Sequence, residues 1–202
     1  MKSSILSLGT NNNPHLISIK DYANSVEFLA KTNSKLIFES FGSENTAIII
    51  STIFKHSKEI VRIYAKSMNG EISSDHIEYI ESLNDFLYSG KSIKILLDTN
   101  ECFDSNKLEK HNTKLIRVFR RFMYTGNIDI RIANDKFKNG MIDISTDGSS
   151  AYHFTVGDDQ MVRIEKDNST HSAICSFNNL SMCKPIIRTF DTHFDMCKHI
   201  TI

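Results

Sequence analysis

A helix pattern followed by a strand pattern occurs three times in succession in this chain, and this alternation constrains the fold more than any other feature. Apolar side chains recur at helical spacing in each helix pattern, and each strand pattern is a short run rich in β-branched residues. The helix patterns cover residues 47–58, 77–87 and 106–124, and the strand patterns that follow them cover residues 59–65, 92–98 and 128–133. Strands separated by helices pair as parallel neighbours, so an α/β fold is predicted.

The alternation stops after Ala133. Further strand patterns then follow one another without helices between them, and a closing helix is predicted at residues 182–199. These strand patterns cover residues 141–144, 152–156, 161–165 and 172–177. Strands joined directly by turns pair antiparallel. We therefore expect an α/β protein with a mixed, largely parallel sheet flanked by helices.

The first 40 residues carry a strand, helix and strand pattern of their own, at residues 15–19, 21–33 and 36–39. We expect residues 1–40 to form an N-terminal extension packed on the core, and residues 41–202 to form the main domain. A chain of 202 residues is long enough to bury one sizeable core.

The charge balance restricts the possible partners. The 24 basic and 24 acidic residues give a net charge of zero, so any phosphate binding has to be local. The longest apolar runs are too short to span a bilayer, and the signal-like start reaches Gly9, Thr10 and three asparagines too soon. A cytoplasmic protein without a membrane partner is predicted. The abundance of Lys, Asn and Ile suggests an AT-rich bacterial genome.

Motifs for the commonest enzyme classes are absent from the sequence. The chain contains no Gly-rich phosphate loop, no His-Glu-x-x-His and no Gly-x-Ser-x-Gly. Its four cysteines form no Cys-x-x-Cys pair, which favours free thiols over a zinc site. We therefore predict neither a metal nor a cofactor.

His153 is the strongest single site candidate. It opens a predicted hairpin in which the turn at residues 157–159 joins two strands. An imidazole there could act as a nucleophile or a proton shuttle, and the alternative is a histidine satisfied by hydrogen bonds within the sheet. Polar residues also follow two predicted parallel strands, at Asp98-Thr99-Asn100 and Asn134-Asp135, where α/β sheets place ligands, although such residues also favour ordinary turns.

A basic helix face is a second candidate site. Lys110, Lys114, Arg117 and Arg121 are spaced four, three and four residues apart, so they share one side of the predicted helix. This face could bind phosphate or nucleic acid. The alternative is a solvated face opposite a packed apolar one.

The order of elements over residues 41–197 resembles a phospholipase D-like domain. His153 stands where that family has the histidine of its His-x-Lys-x-x-x-x-Asp motif, and Ser176, Asn178 and Asn179 follow the hairpin as its later Ser and Asn do. The closing residues 189–194 are similar to the family's Phe-Asp-x-x-aromatic ending. However, Thr155 occupies the motif lysine position and Gln160 the motif aspartate position, with Asp158 and Asp159 just before it.

The resemblance implies what these departures would do. In active members the histidine attacks phosphorus and the lysine binds the phosphoryl oxygens. Losing such an electrostatic donor costs about 3 kcal/mol, a hundredfold or more in rate. The chain is thus expected to be a pseudoenzyme, a catalytically degenerate module that binds a phosphate-containing ligand, nucleic acid or nucleotide, or a protein partner, as a regulatory or accessory subunit. Ligand contacts are expected from Asn178, Asn179, Asp158 and Thr155.

Two further implications follow from the resemblance. Members with one motif per chain pair two copies to form one site, so a homodimer is implied. The alternative function is a divergent phosphodiesterase or nuclease-like enzyme in which His153 remains the nucleophile and Lys184 or Arg163 replaces the missing lysine. A plain scaffold protein within a larger assembly is a third possibility.

Overall fold

The computed structural model describes residues 6–7, 18–68, 76–103, 113–145, 147–148, 150–167 and 169–200. Within them the helices are α1 (Ile19–Lys31), α2 (Ser43–His56), α3 (Ile77–Tyr88), α4 (Thr113–Tyr124), α5 (Asp135–Asp143) and α6 (Leu180–Phe194). The strands are β1 (Leu6–Ser7), β2 (Phe38–Ser40), β3 (Ile60–Ala65), β4 (Ser92–Leu97), β5 (Ile128–Ile132), β6 (Phe154–Gly157), β7 (Met161–Asp167), β8 (Ser172–Ser176) and β9 (Lys198–His199). A 3₁₀ turn covers Glu101–Phe103.

All described strands belong to one sheet, in the order β1-β2-β8-β7-β6-β3-β4-β5-β9. The predicted helix and strand repeats form its parallel part, in which β3, β4 and β5 are neighbours. The consecutive strands β6, β7 and β8 pair antiparallel, and β6 also pairs antiparallel with β3. The predicted mixed α/β sheet flanked by helices is confirmed, but it is not largely parallel: among the described strands three pairs are parallel and five are antiparallel, because β6, β7 and β8 follow one another without helices between them.

Two apolar layers cover the faces of the sheet. One layer packs the buried sides of α1, α2, α3 and α4 against side chains such as Ile63 and Ile95. The other packs α5 and α6 against the alternate positions, such as Tyr64 and Leu96. Side chains of successive strand residues point to opposite faces, so β3 and β4 contribute to both layers.

One predicted strand is wrong. Residues 141–144 are a short, mostly apolar run, but residues 141–143 form the last turn of α5. The side chain of Asn134 caps this helix by accepting a hydrogen bond from the backbone N–H of Phe137 at 2.9 Å. Phe137 and Met141, four residues apart, are both buried against the sheet. A short apolar run does not distinguish a strand from a buried helix segment, and here the burial of two large side chains at helical spacing favours the helix.

Several element boundaries also differ from the predictions. Ser18 caps α1, so Ile19 begins a helix instead of ending a strand, and residues 15–17 lie outside the described residues. The described part of α4 starts at Thr113, and residues 106–112 of the predicted helix are likewise outside. The closing helix ends at Phe194 and is followed by β9.

The N-terminal segment contributes directly to the core. Tyr22 and Val26 of α1 and Phe38 of β2 are buried in the same apolar layer as α2. The boundary at residue 40 stays a prediction. No helix in the described ranges combines the length and the apolar composition needed to cross a membrane.

Candidate functional site

His153 lies at the carboxyl edge of the parallel strands. It directly precedes β6, and its carbonyl oxygen accepts a hydrogen bond from the backbone N–H of Glu165 on β7 at 2.9 Å. Because β6 is antiparallel to β3, the amino end of β6 lies beside the carboxyl end of β3. Asp98 follows β4 at the same edge. Open α/β sheets bind ligands at such an edge.

Asp98 contacts one ring nitrogen of His153. Its Oδ2 lies 3.2 Å from His153 Nε2, while its Oδ1 accepts a hydrogen bond from the Tyr64 hydroxyl at 2.7 Å and lies 2.8 Å from Lys138 Nζ. Burial alone would raise the pKa of Asp98. The hydrogen bonds from His153, Lys138 and Tyr64 outweigh burial and hold the Asp98 pKa well below its ordinary value. Asp98 is therefore a carboxylate at neutral pH.

A second carboxylate faces the other nitrogen. Glu165 Oε2 lies 4.0 Å from His153 Nδ1 and 3.5 Å from Nη1 of Arg163, and Glu165 Oε1 lies 3.2 Å from Nδ1 of His171. The Tyr64 ring meets the imidazole edge-on, with centroids 5.1 Å apart. The His153 side chain is 11% exposed. The imidazole is therefore enclosed between two acids and an aromatic ring.

The position of the family's lysine carries no charge, but a cation lies on the neighbouring strand. Thr155 on β6 pairs with Arg163 on β7, and both are 3% exposed. The Arg163 Nη2 donates to Thr46 Oγ1 at 3.0 Å and to the carbonyl oxygen of His171 at 3.2 Å. These bonds turn the guanidinium towards the first turn of α2. Arg163 and His153 both lie against Glu165.

The other predicted ligand-binding residues lie at the opposite edge of the sheet. Asp158 is in the β6–β7 turn, where its carboxylate accepts hydrogen bonds from three backbone N–H groups. The backbone N–H of Asn179 donates to the carbonyl oxygen of Gln160 in the same turn at 2.8 Å, and the Asn179 side chain caps α6. The Asn178 amide donates to the carbonyl oxygen of Asn33 at 3.0 Å. The structure therefore does not bring these three residues to His153, and Lys184, on α6 close behind Asn179, is also at this edge.

The predicted basic face lies on α4, where Lys114, Arg117 and Arg121 are exposed. Lys110 lies outside the described residues. Helix α4 packs beside α3 and β5, and β5 is the third strand along from β6. The basic face and His153 are therefore separate features of the surface.

Three residues around His153 escaped the sequence analysis: Glu165 and Tyr64, which lie against the imidazole, and Lys138, which contacts its partner Asp98. Of the residues singled out at the strand ends, Asp98 does reach the histidine, whereas Asn134 caps α5. The position of Lys138 could have been predicted. Asn134 is a typical N-cap residue, and a helix that begins there, after β5, places Lys138 near the sheet edge where Asp98 lies. Glu165 had a weaker signal as an acid in a predicted strand. Within the described ranges, no three His, Cys, Asp or Glu side chains converge to hold a metal ion.

The chain has a phospholipase D-like fold, as comparison with solved structures shows. No protein-family model matches the sequence, and no curated protein matches it significantly. Nuc from Salmonella typhimurium, a phospholipase D family member, superimposes with a TM-score of 0.52 at 11% identity over 82% of this chain and 98% of its own. NucT from Helicobacter pylori gives a TM-score of 0.52 at 10% identity over 81% of this chain and 99% of its own.

A third similar structure is that of TrmBL2, an archaeal chromatin protein described with a novel mode of DNA binding. Its TM-score is 0.53 at 12% identity, over 90% of this chain. The match spans 61% of the TrmBL2 chain. At identities this low, the superpositions establish a shared fold and nothing more. The fold is therefore the part of the predicted resemblance that is confirmed.

Proposed function

We propose that this chain is a phospholipase D-like module that has lost the phosphodiesterase chemistry and binds a phosphate-containing ligand or a partner protein as a regulatory or accessory subunit. Two features support the loss of chemistry. Thr155 supplies no cation where the family has its lysine, and the guanidinium on the paired strand position, that of Arg163, is buried and bonded to Thr46. A phosphoryl group at His153 would therefore lack the cation that the family places two residues after the histidine to stabilise the transition state, and the remaining cation, Lys138, is already paired with Asp98.

The observation that carries the proposal is the pair of carboxylates around the imidazole. An attacking histidine must present the lone pair of one ring nitrogen to phosphorus. Here Nε2 is 3.2 Å from Asp98, and Nδ1 faces Glu165 at 4.0 Å. A phosphodiester approaching Nε2 would meet the negative charge of Asp98, which Lys138 only partly offsets. The arrangement suits a histidine with a structural role better than a nucleophile.

A turnover assay tests the loss of chemistry. Wild-type protein and His153→Ala are incubated in EDTA-containing buffer with bis(p-nitrophenyl) phosphate and with labelled single- and double-stranded DNA. We expect no product above the level of the His153→Ala protein. Wild-type turnover that disappears in His153→Ala would refute the proposal, and His199→Ala, which removes a half-exposed histidine that lies against Asp129 of β5, serves as the matched control.

The ligand contacts are also part of the proposal. At the His153 edge, His171 and Lys138 are the more exposed polar members, with 29% and 33% of their side-chain surface accessible. Contacts from Asn178, Asn179 and Asp158 would require a ligand or partner at the opposite edge. A homodimer is proposed from the family resemblance alone. Affinity capture from cells that recovers a protein and no nucleic acid would favour the partner-protein form of the proposal.

A divergent phosphodiesterase is the second candidate, and one observation favours it. Arg163 lies directly across from Thr155, and it shares Glu165 with His153. If Arg163 left Thr46, its guanidinium could serve as the missing cation while His153 attacked phosphorus and the ester P–O bond broke. Rapid quenching into alkaline SDS would then trap the phosphohistidine formed from a radiolabelled phosphodiester, because its P–N bond is stable in base and hydrolysed in acid. An adduct present in the wild type and absent in His153→Ala supports this candidate, and no adduct in either protein removes it.

A further inference from the structure

One surface of the described chain combines basic and aromatic side chains. It consists of exposed residues of α4 together with the last residue of α3, and we call it the basic–aromatic face. Its members are Lys114, Arg117, Arg120, Arg121, Tyr124 and Tyr88. Residues 114, 117, 121 and 124 are three, four and three positions apart and form one stripe along the helix. At 1.5 Å per residue the stripe is about 15 Å long.

Two tyrosines expose their rings on this face. Tyr124 is 95% exposed, and Tyr88 is 53% exposed. The guanidinium of Arg121 covers one face of the Tyr88 ring at 4.6 Å, and the Phe122 ring supports Tyr88 edge-on at 5.1 Å. Tyr88 keeps half of its surface accessible despite these contacts, and Tyr124 is almost fully exposed; exposed aromatic rings indicate a binding site when they cluster with other recognition groups.

The cations of the face are available for an external anion. Among the described residues, no ion pair involves Lys114, Arg117 or Arg120. The whole chain is neutral, so this concentration of positive charge is local. The exposed acids Glu78, Glu81 and Asp85 belong to the neighbouring helix α3 and limit the positive field on that side.

The buried side of α4 argues against a membrane as the partner. Leu115, Val118, Phe119 and Phe122 are packed in the core. An interfacial helix must bury an apolar face in the lipid, and α4 could do so only by leaving the sheet. A polyanion that also offers aromatic surfaces fits the combination of arginines and tyrosines better.

We propose that the basic–aromatic face binds single-stranded nucleic acid, with phosphates on the α4 cations and unpaired bases stacked on Tyr124 and Tyr88. Sequence-tolerant single-strand binding uses this pairing of cations with aromatic platforms. A duplex keeps its bases stacked on one another, so it would use the cations but not the tyrosines. The inference rests on the proposed function, because it names the phosphate-containing ligand of that module.

Fluorescence anisotropy with a labelled oligothymidine and a duplex of the same length tests this surface. We expect the single strand to bind more tightly than the duplex, and Tyr124→Ala to weaken single-strand binding about tenfold without changing duplex binding. The pair Arg117→Ala/Arg120→Ala should lower the slope of log K against log salt by about 1.4, as expected for two lost phosphate contacts. The matched control is Lys184→Ala/Arg188→Ala, which removes two exposed cations from α6 in the opposite layer.

Three outcomes would overturn the inference: no binding at all, equal effects of the α4 and α6 pairs, or stronger binding to anionic vesicles than to the oligonucleotide. Circular dichroism of Tyr124→Ala checks that any loss of binding is not due to unfolding. Because the Tyr124 side chain is almost fully exposed, we expect its removal to leave the fold unchanged. The outcome is independent of the turnover assay. Hydrolysis that depends on His153 would refute the proposed loss of chemistry but not nucleic-acid binding by the basic–aromatic face. If the protein shows neither binding nor turnover, only the proposal for the basic–aromatic face is refuted.

Discussion

At the scale of single residues, Asp158 holds the β6–β7 hairpin to the chain that enters β3. Its carboxylate accepts backbone hydrogen bonds from Lys58, Glu59 and Ile60 at 2.8 to 3.1 Å, and its φ is +50°. Asp158→Ala removes all three hydrogen bonds. It also leaves an alanine, whose side chain cannot form a local hydrogen bond, in the left-handed region. We expect a loss of about 3 kcal/mol in the free energy of unfolding, measured by urea titration.

Asp158→Asn is the matched control for that change. Asparagine keeps one acceptor oxygen and tolerates the left-handed region, so it should cost clearly less than alanine. Equal losses in the two variants would show that the charge, and not the hydrogen-bond geometry, stabilises the turn.

Asp98 gives the His153 edge a pH dependence. Its folded-state pKa is lowered, so its contribution to stability is present above the unfolded pKa of about 3.9 and is lost as the pH falls below that value. Asp98→Asn lacks this contribution at every pH. The stability difference between the wild type and Asp98→Asn should therefore be largest near neutral pH and shrink below about pH 4. Urea unfolding at a series of pH values measures it, and a difference that stays constant into acid would contradict the assignment.

The residue scale also shows where sequence reasoning stops. His153 and Asp98 could be singled out because a histidine before a strand and an acid after one have recognisable chemistry. The sequence did not predict that Glu165 and His171 lie beside them, because the contacts of these two residues depend on the register between β7 and β8. Asn178 and Asn179 show the converse: they follow the expected strand, but the antiparallel turn carries them to the far edge. The direction of a strand decides at which edge its end lies.

At the scale of elements, α5 positions the cation beside Asp98. Its first turn is capped by Asn134, and Lys138 lies one turn later with Nζ 2.8 Å from Asp98 Oδ1. Asn134→Ala removes the cap and should lower the free energy of unfolding by about 1 kcal/mol. Because α5 also carries Lys138, the chemical shifts of the His153 ring should change as well. Asn134→Ser retains a capping oxygen and should preserve both. Unchanged His153 shifts in Asn134→Ala would show that α5 is held by its buried face alone.

The same helix explains the one element that the sequence misassigned. Residues 141–144 are a mostly apolar run only four residues long, and the buried pair Phe137 and Met141 has helical spacing. By contrast, α2, α3 and α4 each repeat their apolar spacing over three or more turns, which alternation cannot imitate. Long periodic segments were therefore predictable, whereas a nine-residue helix whose cap follows a strand was not.

At the scale of the whole molecule, the element order was predictable and the sheet order was not. Local patterns indicate which strands are separated by helices, and so they predicted the parallel neighbours β3, β4 and β5. They do not indicate that β6 inserts between β3 and β7, or that β2 pairs with β8. Those pairings join residues far apart in sequence, and they are what bring His153 to Asp98.

The pairing of β2 with β8 makes the N-terminal segment a test of the proposed boundary at residue 40. Phe38 is fully buried opposite Cys175, and Tyr22 and Val26 lie in the layer that covers the sheet. A chain that begins at Phe41 would expose that part of the core and leave β8 as an edge strand. We expect the truncated protein to be less stable by more than about 3 kcal/mol, since removing even one large core side chain costs that much.

Point substitutions within α1 separate lost packing from lost chain length. Val26 is fully buried, whereas Phe28 on the same helix is 66% exposed. Val26→Ala should lower the thermal midpoint clearly, and Phe28→Ala, which removes more atoms, should change it little. If the truncated chain and Val26→Ala both melt with the wild type, residues 41–202 fold as an independent unit and the extension is dispensable. If both are destabilised, α1 and β2 are part of one cooperative core, and the boundary at residue 40 has no physical meaning.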